Sequence, residues 1–217
     1  MSTPTMTHMV TLMPTLIQNK PTRRSAILGM ASGLAMAAFA RPALALNADG
    51  AKRLVDSIVA DINKVIAASS SEAAKIREFE KIFVRYSDVP TIARYALGND
   101  ARRASSAQMN AFTKAFQVYV SRKYGKRFRE FIGGKIEVKD ARQVKNFFEV
   151  KTIAHLRGES PFEVTFLVSD RSGQSKFFNL FIEGVNMLLT ERTEIGSMLD
   201  KRRGDIDALI RDLQKAG

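Results

Sequence analysis

The stretch S-K-F-F-N-L-F-I-E-G-V-N, Ser175 to Asn186, constrains this chain more than any other. Five large apolar side chains fall within the six residues Phe177 to Ile182. At the strand period of two, Phe178, Leu180 and Ile182 share one face, and Phe177, Asn179 and Phe181 the other. A strand with one wet face does not carry that load. It is covered on both sides, or its second face lines an apolar space. Alone, the stretch fits a central strand of an ordinary core; a cavity wall is the second reading. Glu183-Gly184 ends the run, where a Gly suits a bulge or a close backbone approach.

The strands before it carry the same period. Ile136 and Val138 alternate with charged residues, and Phe148 and Val150 belong to a run over about 146–156. Phe162, Val164, Phe166 and Val168 alternate with Glu163, Thr165, Leu167 and Ser169. Asp170 to Gly173 is a turn. Short connections with alternation predict four antiparallel strands.

The half before Gly133-Gly134 is helical in period. Leu54, Ile58, Ile62 and Val65 make one stripe, capped by Asn47 or Asp49. Ser69 and Glu72 have capping-box spacing for a second helix to about Tyr86, with Phe79 and Phe83 on its apolar face. Pro90 opens a third helix and Gly98 stops it. Ser105 or Ser106 caps the longest, to about Phe131. Its face is Met109, Phe112, Phe116, Tyr119, Val120, Tyr124 and Phe128. That aromatic face fits a core stripe and a pocket wall equally. Two more helical segments, 187–199 and 205–213, close the chain. The predicted class is α+β, a helical layer packed on a four-stranded antiparallel twisted sheet.

Residues 1–45 stand apart. Arg23-Arg24 in T-R-R-S-A-I-L precedes an apolar run, Ala26 to Ala40, and Ala43-Leu44-Ala45 has small residues where a signal peptidase reads. The run is 15 residues, short of the roughly 20 that span a bilayer. A cleaved export signal is expected over 1–45, of twin-arginine type, although Ala26 stands where such signals usually carry Phe. The mature domain is then 46–217. Without the four basic residues of the signal, 30 basic and 22 acidic residues remain, a formal charge of +8. Outside the cytoplasm such a charge favours anionic membrane surfaces or acidic partners over nucleic acid. With no Cys, an exported domain rests on its core alone.

Arg122, Lys126 and Arg129 are spaced to share one face of the long helix. They read first as a solvated face, and second as a landing patch for headgroups or a partner. No zinc spacing, P-loop, G-x-G-x-x-G or G-x-S-x-G occurs. His155, the lone histidine after position 45, reads as structural or solvated. Asp205 and Asp207 sit at a helix start, where the dipole favours them. No enzyme chemistry, cofactor or metal is expected.

With those residues in view, the chain resembles the MlaC family of periplasmic phospholipid carriers, also described as toluene-tolerance proteins. The pieces are I-A-R-Y-A-L-G (Ile92 to Gly98), R-R-A-S-S-A-Q-M-N-A-F (Arg102 to Phe112), F-I-E-G-V-N (Phe181 to Asn186), E-R-T-E-I (Glu191 to Ile195) and D-I-D-A-L-I-R-D-L (Asp205 to Leu213). The resemblance implies a monomeric periplasmic shuttle holding phospholipid tails between helices and a twisted sheet. It implies exchange with an inner-membrane MCE-type ABC transporter and an outer-membrane lipoprotein complex, in the upkeep of outer-membrane lipid asymmetry. Ala101 and Ser175 stand where relatives often have Trp, Asn179 where Asp is common, and Asn186 where Ser is common. The two small residues are expected to alter the cavity.

On this reading the lipid-lining residues are Phe83, Phe112, Phe116, Tyr119, Tyr124, Phe148, Val150, Val164, Phe166, Leu180 and Ile182. Arg122, Lys126 and Arg129 would meet headgroups or a partner. Gly133-Gly134 is a candidate hinge. A hopanoid or other polycyclic lipid is an alternative cargo. A non-lipid interaction module with a filled core and a lipid-modifying enzyme are the rival functions.

Overall fold

Side-chain caps set where the helices begin. A computed structural model describes residues 45–126 and 134–216. The expected export signal, apart from Ala45, therefore lies outside the described residues, as do Phe128, Arg129 and Gly133. Asn47 accepts from the Gly50 N–H at 2.8 Å and opens α1 (Ala48–Ala67). Ser71, not Ser69, caps α2 (Glu72–Tyr86): the helix starts two residues later, and 68–71 serve as the connection. Asp88 caps α3 (Val89–Leu97), Pro90 occupies its first turn, and Gly98, with φ 67°, ends it. A short 3₁₀ turn follows. Ser105 and Gln108 then exchange both bonds of a capping box ahead of α4 (Ser106–Gly125).

Five strands follow: β1 (Lys135–Val144), β2 (Phe147–His155), β3 (Phe162–Ser169), β4 (Lys176–Ile182) and β5 (Val185–Asn186). They form one antiparallel sheet in sequential order. The fifth, two-residue strand corrects the expectation of four. Glu183 and Gly184 have φ 49° and 78°, as the centre of a type I′ turn requires, so the chain reverses there and pairs back on β4. Gly184 is thus a hairpin turn and not a bulge.

The bulge lies earlier. Val168 pairs with Phe177 and Leu167 with Asn179, leaving Phe178 as an extra residue. This breaks the simple alternation of the sequence reading. Phe177, across from Val168, now shares its side of the sheet with Leu180 and Ile182, across from Phe166 and Val164. Phe177 is buried and meets Phe83 of α2 and Phe166 of β3, with ring centres 6.2 and 5.7 Å apart.

α1 lies along β1, β2 and β3, and α2 packs on α1 and α4. α3 joins α4, β4 and α5 (Met187–Lys201), while α6 (Ile206–Lys215) packs on α4. The buried side chains form one cluster. It runs from Val55 and Ile58 of α1 through Phe112 and Phe116 of α4 to Ile195, Leu209 and Leu213 of the last two helices. Among the described residues no helix is long and apolar enough to cross a membrane.

Candidate functional site

The cluster does not fill the space between helices and sheet. A cavity of about 510 Å³ remains, within the range of small-molecule sites. Ile58 and Ile62 of α1, Phe79, Ile82 and Phe83 of α2 and Ile92 of α3 form part of its wall. Phe116, Val120 and Tyr124, one per turn of α4, form another part. The sheet contributes Ile136, Phe162, Val164, Phe166, Phe177, Leu180 and Ile182, and the β2–β3 connection adds Leu156, Glu159 and Ser160. Met187, Leu188 and Glu191 of α5 complete it, with Phe178 and Asn179 of β4 and Glu183 of the β4–β5 turn.

Of the expected lining residues, Phe83, Phe116, Tyr124, Val164, Phe166, Leu180 and Ile182 border this cavity. Phe112, Tyr119, Phe148 and Val150 do not, and each has a physical reason. Phe112 is fully buried in the core and stacks on Phe116 at 5.8 Å. Phe148 and Val150 lie on β2, in the half of the sheet that α1 covers. Tyr119 turns toward α5 and donates its hydroxyl to Glu194 at 2.5 Å. The aromatic face of α4 therefore divides: 116, 120 and 124 follow one ridge to the cavity, while 112 and 119 go elsewhere.

The basic face divides too. Arg122 donates to the Gln214 carbonyl at 2.8 Å, at the end of α6, which lacks internal donors for its last carbonyls. Lys126 is exposed, and Arg129 lies outside the described residues. Ala101 is buried and Ser175 exposed, and neither is among the residues that border the cavity.

Sequence reasoning missed the polar part of the wall. Lys123 reaches from α4 to α5 and donates to Glu191 Oε1 at 2.8 Å and to Glu194. Tyr124 donates to the same Glu191 oxygen at 2.5 Å. Burial works against the Lys123 charge, but its hydrogen bonds to the two glutamates outweigh that and raise its pKa. Burial likewise opposes the Glu194 charge, yet the Lys123 and Tyr119 donors hold its pKa below 4.5. Burial first, then the bond to Glu194, pushes the Tyr119 hydroxyl far up, so it stays a donor.

Asn179 and Asn186 form a second polar unit. Asn179 donates to Asn186 Oδ1 at 2.9 Å, while its own Oδ1 accepts from the Leu188 N–H at 3.0 Å. Asn186 accepts from the Leu189 N–H at 3.1 Å. The pair satisfies two of the free donors at the start of α5 and fixes that end of the helix beside the cavity. Among the described residues no cluster of His, Cys, Asp or Glu is placed to hold a metal ion.

The cavity wall is apolar on most sides with few polar groups, an arrangement that suits an apolar molecule. Comparison with known proteins agrees with the fold. The family model described as MlaC protein matches residues 52–215. No curated protein matches the chain. A solved structure of the phospholipid-binding protein from Ralstonia solanacearum, in complex with a phospholipid, superposes with a TM-score of 0.65 at 17% identity. It covers 76% of this chain and 95% of its own.

Proposed function

The chain belongs to the MlaC family, and we propose that it is a lipid carrier that takes up phospholipid tails in its cavity. The observation that carries this is the space of about 510 Å³ left open between two otherwise well-packed layers. An interaction module with a filled core would close it. Loss of contact partners along such a wall is costly, and an apolar guest restores them. The family and the phospholipid held by the Ralstonia solanacearum neighbour support tails as that guest. We place the carrier in the periplasm, as an ABC-transporter auxiliary. It would exchange lipid with an inner-membrane MCE-type transporter and an outer-membrane lipoprotein complex. Lys126 and Arg129 are the basic residues proposed to meet headgroups or a partner.

Transfer on this reading proceeds by contact. A two-chain phospholipid has on the order of 30 methylenes at about 0.8 kcal/mol each, or roughly 24 kcal/mol against leaving through water. A barrier of that size allows about 10⁻⁵ events per second. A partner must therefore open the cavity onto a continuous apolar path. Protein loaded with a fluorescent phospholipid should keep it for hours in buffer and release it at a rate that rises with acceptor-complex concentration. Rapid release into plain buffer, or a rate indifferent to acceptor, would refute the carrier reading.

A further inference from the structure

α4 and α5 both contribute to the cavity wall, yet each is seated mainly on other elements. α4 packs on α2, α3 and α6, and α5 chiefly on α3 and β4. The two are bridged by a group of side chains. Lys123 donates to Glu191 Oε1 at 2.8 Å and to Glu194, while Tyr124 donates to Glu191 and Tyr119 to Glu194. The Lys123 ammonium also lies 5.4 Å from the ring centres of both tyrosines. This group spans the wall from inside to outside. Tyr124 and Glu191 border the cavity, and the side chains of Lys123 and Glu194 are 26% and 42% exposed. A polar seam parts with less loss than an apolar one, because water takes up each group that leaves its partner. The closed seam also carries a cost. Glu191 Oε2 is buried with no hydrogen-bond partner in the protein. Parting the helices would hydrate that oxygen and remove the penalty of leaving it unpaired.

We propose that the Lys123 bridge is the latch of the cavity, and that lipid is exchanged when it lets go and α4 parts from α5. The inference rests on the carrier reading and deepens it by naming the place where the wall opens and the residue that sets the rate. One ammonium holds both glutamates, so loss of Lys123 frees α5 at two points about a turn apart. Both helices keep their packing on α3, which serves as the pivot. Lys123 is a positioning residue. It does not itself border the cavity, and it acts on the cargo only through the helices it joins.

The test follows transfer of a fluorescent phosphatidylcholine from loaded protein to excess phosphatidylcholine vesicles. Lys123→Met keeps the stem and loses the donors, and transfer should quicken about tenfold, the factor that one hydrogen bond to a charged group supplies. Lys123→Arg still offers donors to both glutamates and should stay near the parent's rate. If Lys123→Met does not fold, Glu194→Gln weakens the latch at its exposed end and should quicken transfer about threefold. Closing the seam is the converse experiment. The chain has no Cys, so a reducible bifunctional thiol reagent added to Lys123→Cys with Glu194→Cys joins those two positions alone. The joined protein should hold its lipid at least tenfold longer than the same protein after reduction. The same reagent on Lys52→Cys with Asp56→Cys, an exposed pair within α1, should leave the parent's rate unchanged. Equal transfer from the joined and the reduced protein would overturn the proposal and leave the carrier reading standing. A parent-like rate in Lys123→Met, or in Glu194→Gln where that variant stands in, would overturn it too. A parent protein that takes up no lipid would remove the carrier reading and the latch with it.

Discussion

Phe166 separates a residue that holds the fold from one that holds a guest, because it does both. Its ring is 4% exposed and meets Phe177 edge-on at 5.7 Å and 88°, yet it also borders the cavity. Truncating a fully packed Phe to Ala costs about 3–5 kcal/mol, and an edge-to-face pair contributes about 0.5–1.5 of that. Here part of the ring already looks into empty space, so fewer contacts are lost. We expect Phe166→Ala to destabilise by about 2–4 kcal/mol. At a urea dependence of about 2 kcal/mol per molar, the unfolding midpoint should drop by roughly 1–2 M with unchanged slope. Lipid capacity should survive, because the wall stays apolar and the space grows. Phe166→Asp should do the opposite to the guest: a carboxylate facing acyl chains is unpaired, and bound lipid should fall severalfold in protein that still folds. A folded Phe166→Asp that extracts with the parent's lipid content would show that Phe166 does not touch the cargo. Loss of lipid in Phe166→Ala as complete as in the Asp variant would refute the wall argument.

Two further outcomes follow from the polar units. Asn179→Ala removes the acceptor for the Leu188 N–H and the donor to Asn186, so thermal unfolding should show a loss of about 1–2 kcal/mol, which the paired change Asn179→Asp with Asn186→Ser should largely restore; an Ala variant as stable as the parent would mean that α5 does not depend on this cap. The depressed pKa of Glu194 stabilises the fold above the ordinary value of 4.5, and that contribution is lost as pH falls through the lower folded value. Lys123→Met should therefore flatten the stability loss as pH falls below the ordinary carboxylate range, and an acid limb identical to the parent's would contradict the network.

The fold was legible wherever one rule governed a segment. Caps with their following stripes placed α1, α3 and α4, and period two placed β2, β3 and the first half of β1, which a bulge between Val138 and Asp140 interrupts. β4 was harder, because a bulge is a property of the pair and not of the strand: nothing in F-F-N-L-F-I marks Phe178 as the residue that Leu167 and Val168 leave without a partner. The site was harder again. Aromatic content marked α4 as a wall, but a helix spreads its apolar side chains over several neighbours. Phe112 and Tyr119 differ from Phe116 only in direction, which the packing of α3, α5 and α6 decides. α1 hid Phe148 and Val150 for the same reason, since sequence shows that a strand face is covered but not by what.

Glu191 did leave a signal. On α5 the inward positions are Leu188, Glu191, Ile195 and Leu199, at helical spacing, and one of the four is a carboxylate. A charge in an apolar stripe either carries a partner or costs the fold several kcal/mol. Lys123 and Tyr124 are that partner for one of its oxygens, contributed by a helix that sequence alone could not bring alongside. What the stripe could not say is that the second oxygen would be buried without a hydrogen-bond partner.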